Sequence, residues 1–385
     1  MSLIIFLIVL SILVMVHECG HYMVARLFGV KVEEFGYGFP PRLLGFVRSA
    51  TGWKRVKIGD RQVHTRTIWS LNWLPLGGFV RLKGEAGEAV GEDSFLSRPA
   101  FQRLLILAAG VIMNWWLAFA IFATGLVIGV PMSTDGLPPE AMISGQRTVV
   151  ERILPDSPAD KSGVRAGDRI LSVDGRTFAD ADALHRYLSD HSLEGITMRL
   201  QFDRKGETRF TSVSPGYVEK LKRIGVGIGL MDMGIVRFKP LDAITQSVQI
   251  CWRYTTFIVK TLAGMARDLV VKRRIQQDVS GPVGIAVAAG AIAQQGWWPL
   301  AQFVALLSLN LSIVNFLPIP ALDGGRALFV LVEWLRRKRN NAHVENALHQ
   351  IGFVTLLALV ALVTVRDIGQ HGGWLLQGIR SIIGS

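Results

Sequence analysis

Val16-His17-Glu18-Cys19-Gly20-His21 lies near the end of an apolar run that begins at Leu3. Its two histidines are four residues apart. On a helix that spacing puts both imidazoles on one face, one turn apart, where they can share a metal. Glu18 stands beside them as a candidate general base for a water held there. His-Glu-x-x-His on a helix is the arrangement of zinc hydrolases. Here it would sit at membrane depth, where ionisable residues are costly and mark functional sites. A signal peptide is the competing reading of the run. Met1-Ser2 supplies no basic leading segment, however, and no small-residue cleavage pattern follows.

Half of the 385 residues are hydrophobic, too many for an ordinary soluble enzyme of this length. A helical span needs roughly 20 apolar residues, and four segments qualify. They are 1–24 with the histidine motif, 104–130, 297–325 and 347–366. The net charge of +12 is read as membrane topology, because anionic lipid attracts cytoplasmic Lys and Arg. Nucleic acid is not an expected partner, since no basic run is interleaved with base-stacking aromatics. Cys19 and Cys251 both lie in apolar segments and make no disulfide framework.

The segments between the spans differ in character. Residues 25–103 are glycine-rich and basic, with Arg42, Arg48, Lys54, Arg55, Lys57, Arg61 and Arg66. Alternation over Gln62–Ile68 and Gly78–Leu82 predicts strands, hence a β-element close to the membrane. His64 is read as a strand surface residue and not as a ligand. Asn114 is the one strongly polar residue of the second span. An interhelical hydrogen bond and a role near the metal are both open for it. Residues 148–230 turn polar and strand-like, with turns at Asp174-Gly175 and Lys205-Gly206, and form a soluble domain. In 241–296, Arg253, Lys260 and Arg267 are spaced by sevens. That stripe predicts an interfacial helix with snorkelling cations. Gly281-Pro282 ends it, and the small-residue run 283–293 is too short to cross alone.

A second motif closes the third span: Asn315-Phe316-Leu317-Pro318-Ile319-Pro320-Ala321-Leu322-Asp323-Gly324-Gly325. Two prolines two residues apart cannot continue a helix. Irregular backbone at membrane depth is tolerated only where protein or a cavity buries it. A catalytic zinc takes three protein ligands and keeps one position open. His17 and His21 supply two, and Asp323 is the candidate for the third. Basic residues near the helix ends support that assignment. Arg26 and Lys31, Arg98 and Arg103, and Arg326 with Arg336 to Arg339 all belong on the cytoplasmic side. The first and third spans therefore end at similar depth, and 148–230 lies outside.

Ser157-Pro158-Ala159 through Gly163, with Ala166-Gly167-Asp168-Arg169-Ile170-Leu171-Ser172-Val173-Asp174-Gly175, resembles the PDZ family. Such domains bind peptides by adding a strand to a sheet edge. The two motifs together, His17-Glu18-x-Gly20-His21 and Asn315-x-x-Pro318-x-Pro320-x-Leu322-Asp323-Gly324-Gly325, resemble those of the site-2 protease family of intramembrane metalloproteases. Gly36-Tyr37-Gly38-Phe39 and Pro75-Leu76-Gly77-Gly78-Phe79 look like that family's membrane-associated β-loops. The single PDZ-like insertion resembles bacterial members that cut anti-sigma factors. Two positions depart from the pattern: Cys19, where an aromatic is common, and Val111, where proline usually follows the Ala-Gly pair.

The resemblance implies that Asp323 is the third ligand of Zn2+. It also implies that Asn315 holds the substrate backbone or the oxyanion, with Glu18 as base. The expected fold is a polytopic α-helical membrane protein of about four transmembrane helices. It carries a membrane-associated β-element and an inserted α+β PDZ-like domain. The expected function is intramembrane zinc proteolysis of pre-cleaved transmembrane proteins, such as anti-sigma factors or signal peptide remnants, in the bacterial inner membrane. A membrane metal transporter would want further acids and histidines along the spans. An inactive PDZ scaffold would not keep His17, Glu18, His21 and Asp323.

Overall fold

The computed structural model describes residues 2–50, 52–56, 65–85, 91–191, 196–272 and 281–383. The chain divides into two compact units, Met1–Phe122 with Ser247–Ser385, and Ala123–Gln246.

The first unit opens with α1, Ser2–Leu27. At 1.5 Å per residue this helix is about 39 Å long, more than the roughly 30 Å of a hydrocarbon core. Three strands follow: β1 at Val32–Ser49, β2 at Gly52–Arg55 and β3 at Ile68–Leu82, in the order β2-β1-β3. Both long strands fold back on themselves. Glu34 pairs with Arg81 and also with Ile68, and Phe35 with Val80 and also with Trp69. The start of β1 is thus flanked by both halves of β3. Arg42 clamps the two arms of β1 by donating from Nε and Nη2 to the buried Glu34 carboxylate at 3.0 and 2.7 Å. Such a bidentate pair fixes geometry as well as adding energy. Tyr22 of α1 meets Phe35 and Trp69 at ring distances of 5.6 and 5.5 Å, seating the sheet on the helix. The alternating stretch that predicted a strand from Gln62 begins outside the described residues, as does His64; the described strand starts at Ile68.

Helix α2, Ala100–Ile128, leads into the second unit. Strands β4 (Val130–Ser133) and β5 (Met142–Ile153), helix α3 (Pro158–Lys161), strand β6 (Arg169–Val173) and helix α4 (Ala181–Asp190) come next. Strands β7 (Met198–Arg204), β8 (Glu207–Val213), β9 (Gly216–Val218), β10 (Arg223–Gly225) and β11 (Ile228–Arg237) complete it. Six strands form one sheet, β4-β11-β5-β6-β7-β8, and β9 pairs with β10. The sheet and α4 bury Val150, Leu184, Leu188, Met198, Leu200, Phe202 and Val213.

Both glycine turns follow from backbone chemistry. Asp174 and Gly175 have φ of 52° and 76°, and Lys205 and Gly206 have 56° and 88°. Consecutive positive φ is what a two-residue hairpin turn matched to strand twist requires. Asp168 is buried and pairs with Arg204 at 2.7 Å, which holds the guanidinium pKa above its usual value. Asp168 also accepts from the Arg165 N–H at 2.8 Å, so Ala166-Gly167-Asp168 serves the fold of this unit. The sheet is wider than the 148–230 segment suggests. β4 precedes that segment, and β5 and β11 both extend beyond it. Burial alternates over Asp232 to Arg237, but the buried positions are Asp232, Gly234 and Val236, so the polarity of the sequence does not follow it.

Helix α5, Pro240–Lys272, buries Ser247, Cys251 and Ile258 along one stripe. Arg253, Lys260 and Arg267 are exposed. Helices α6 (Pro282–Ala293), α7 (Trp297–Phe316), α8 (Asp323–Arg336) and α9 (Ala342–Ile383) complete the first unit. The segment 297–325 is not one span. Its helix stops at Phe316, and Asp323 opens the separate helix α8, because Pro318 and Pro320 interrupt the backbone between them. Among the described residues, four helices are long and apolar enough to cross a membrane: Ser2–Leu27, Ala100–Ile128, Trp297–Phe316 and His343–Gly369.

Candidate metal centre

Helical periodicity on α1 stacks His17 over His21, with ring centroids 4.8 Å apart and both side chains buried. Their Nε2 atoms are 3.1 Å apart. Asp323 enters from the start of α8. Its Oδ2 stands 2.9 Å from His17 Nε2 and 3.4 Å from His21 Nε2. Three donor atoms therefore face one point. Ligand bonds of about 2.0–2.1 Å at tetrahedral angles place donors roughly 3.3–3.4 Å apart, so the set has the dimensions of a three-ligand zinc site.

The outer nitrogens fit the same reading. A histidine that ligates through Nε2 carries its proton on Nδ1 and needs an acceptor there. His21 Nδ1 donates to the Ile106 carbonyl of α2 at 2.8 Å. His17 Nδ1 is 3.2 Å from the Asn114 amide nitrogen, while Asn114 Oδ1 is buried without a partner. Exchanging the ends of that amide lets His17 Nδ1–H donate to Oδ1 and satisfies both groups. Both roles open to Asn114 meet in this contact, which joins α2 to α1 and reaches an imidazole of the donor group. Gly110 makes room on the same helix. A Cβ there would lie 2.4 Å from His21 Nε2 and 2.7 Å from His17 Nε2.

The irregular link to Asp323 is shaped by its glycines. A Cβ on Gly324 would lie 2.3 Å from the Leu317 and Phe316 carbonyl oxygens, and one on Gly325 would lie 2.2 Å from the Ile319 oxygen. Helix α8 can start against the Leu317–Leu322 segment only without side chains there. Ala321 takes a φ of 80°, and its N–H donates to His349 Nδ1 of α9 at 2.9 Å. Ser308 and Ser312 of α7 donate to the Asn114 and Val111 carbonyls of α2 at 2.7 and 2.9 Å. Those bonds set α7 so that Asn315 Nδ2 comes within 3.4 Å of His17 Nε2.

Glu18, His21, Asp323, Phe79, Val80, Leu82, Leu107, Glu85 and Arg326 line a cavity of about 130 Å³. Glu18 and Val80 of β3 face this cavity together. Strand β3 thus runs past the acid that neighbours the histidines. Cys19 is half-buried and outside the donor group, which among the described residues is His17, His21 and Asp323. Sequence reasoning used Arg326 only for topology and did not single out Ile106, Gly110, Glu85 or His349 as site residues. Of these, Gly110 alone carried a signal, as part of the small-residue run Ala108-Ala109-Gly110.

Two imidazoles and a carboxylate converging at one point, with a further carboxylate in the adjoining cavity and helices fit to cross a bilayer, define a membrane-embedded metallopeptidase. The description Peptidase family M50 matches residues 5–359. A protein named as a zinc metalloprotease in Clostridium perfringens is 32% identical over 370 residues, covering 96% of this chain and 98% of the relative. Another so named, from Rhizobium meliloti, is 32% identical over 388 residues, covering 94% and 95%. The PDZ domain of the SdrC-like protein of Listeria monocytogenes aligns with 23% of this chain and 92% of its own, at 23% identity and a TM-score of 0.20. The chain belongs to peptidase family M50, the site-2 proteases, and is a zinc metalloprotease.

Proposed function

We propose that this protein cuts peptide bonds within or near transmembrane segments of membrane proteins that another protease has already trimmed. Anti-sigma factors and signal peptide remnants are the substrate classes that fit. The observation that carries the proposal is the shared cavity. Glu18, His21 and Asp323 line it together with β3, and His17 completes the donor group beside it. In this reading His17, His21 and Asp323 hold Zn2+. When bound, zinc supplies the Lewis acidity that makes a water nucleophilic near neutral pH. Glu18 accepts the water's proton and returns it to the leaving amine. The amide of Asn315 faces the oxyanion. Asn114 and the Ile106 carbonyl hold the imidazoles in the ligating tautomer.

A substrate helix hides its carbonyls in its own hydrogen bonds and must unwind to be cut. The stretch Gly77 to Leu82 offers a strand to which the unwound segment adds. The basic residues at the helix ends support a zinc site toward the cytoplasmic face of the bacterial inner membrane. The same rule puts the PDZ-like domain on the outer side, where it excludes substrates that still carry a bulky outer domain. The deciding experiment joins zinc content with cleavage of a model transmembrane peptide. Zinc with cleavage supports the reading. Zinc without cleavage points to transport or scaffolding.

A further inference from the structure

Two polar side chains at the cavity wall have no part in the chemistry above. Glu85 lies in the turn just beyond β3, and Arg326 lies one turn into α8 from Asp323. They form an ion pair between residues 241 positions apart. The other Glu85 oxygen accepts from the Leu82 N–H at 3.4 Å, so one carboxylate grips the end of the strand and the metal-bearing helix together. The turn itself is anchored. Lys83 N–H donates to the Lys31 carbonyl at 2.9 Å, and Phe95 N–H to the Lys83 carbonyl at 2.8 Å. Farther along α8, Glu333 takes a two-pronged bond from the buried Arg103 of α2, at 2.9 and 3.2 Å. Arg103–Glu333 thus fixes one end of α8, and Glu85–Arg326 ties its start to β3.

The Arg326 side chain is 40% exposed and that of Glu85 20%. Ion pairs this wet contribute little to overall stability. What this one can set is a distance. A strand adding to β3 lies about 4.8 Å from it, and Phe79, Val80 and Leu82 of β3 share one cavity with Asp323 and Arg326 of α8. We propose that Glu85 and Arg326 are positioning residues for proteolysis. Their ion pair holds the edge of β3 at the separation from Asp323 that brings an added substrate strand into register with the zinc. This rests on the function proposed above.

The test uses the purified full-length protein and a fluorogenic transmembrane substrate. Zinc content and thermal midpoint are measured alongside. Misplacement by about 1 Å can cost 10²-fold, so E85Q and R326Q should each lower kcat by about tenfold or more, with KM, zinc and midpoint unchanged. E85Q/R326Q should be no slower than the slower single variant, because residues acting as one unit are not additive. R326K, which keeps the charge, should recover most of the lost rate. Amide exchange of Gly78 to Leu82 should quicken in R326Q. Losses that multiply in the double variant, unchanged rates in the singles, or loss of zinc would each overturn the proposal. Failure of the wild-type protein to cleave at all would instead overturn the functional reading beneath it.

Discussion

Gly110→Ala is the sharpest test of the metal centre, because local and tertiary effects have opposite signs. Within a helix, alanine is favoured over glycine by about 1 kcal/mol. On helix propensity alone the substitution stabilises α2. The added Cβ, however, would lie 2.4 Å from His21 Nε2 and 2.6 Å from His17 Cε1, about 1 Å short of the 3.4 Å at which ordinary contact begins. Neither ring can swing away freely, since His21 Nδ1 is bonded to Ile106 and His17 Nδ1 faces Asn114. The clash must move the donor atoms or part α1 from α2. Zinc sites tolerate only about 0.2 Å around their ligand distances. A displacement near 1 Å should therefore weaken zinc binding and slow catalysis by about a hundredfold, or roughly 2.7 kcal/mol. The assay is competition for zinc against a graded set of chelators, paired with cleavage kinetics and a thermal midpoint. The expected result is a folded protein with weakened zinc binding and little activity. Wild-type zinc affinity and wild-type cleavage in G110A would refute the arrangement of His17 and His21 around Gly110.

Five further variants test the same geometry. Glu18→Gln should abolish proteolysis with zinc retained, and substantial turnover by the purified variant would count against Glu18 as base. Asp323→Ala should lower zinc occupancy as well as activity, whereas Asn315→Ala should keep zinc and slow cleavage; full metal loading of the aspartate variant would mean the third ligand lies elsewhere. Asn114→Ala removes the acceptor for His17 Nδ1 and should weaken zinc affinity by about 10–100-fold, the usual cost of losing such a partner, as read by chelator competition. Excising residues 130–237 joins chain ends already close, since Phe238 N–H donates to the Leu126 carbonyl at 2.9 Å; the variant should keep zinc and peptidase activity and also cut untrimmed substrates, and a folded, zinc-loaded variant that cuts neither form would show the domain to be a required part of the active assembly.

What could be read from the sequence is what short-range geometry dictates. Four residues on a helix make one turn, so His17 and His21 had to share a face wherever α1 went. Pro318 and Pro320 cannot stay helical, so a break before Asp323 was unavoidable. Asp174-Gly175 and Lys205-Gly206 accept the positive φ of hairpin turns, and apolar length marked four spans. The tertiary structure decided everything that depends on which surfaces meet. No local rule says that β1 and β3 fold back on one another, or that an independent helix begins at Asp323. None says that Asn114, one turn beyond Gly110, meets an imidazole of α1 97 residues away. The Ile106 carbonyl and the spaces at Gly110, Gly324 and Gly325 are visible only once α1, α2, α7 and α8 are packed. Glycine and a backbone oxygen carry no side-chain chemistry of their own. The sequence by itself thus names the groups that could do the chemistry. Packing alone brings them within bonding distance, because a separation of about 3 Å between residues 306 positions apart, as in His17 and Asp323, is a property of the assembled helices and not of either segment.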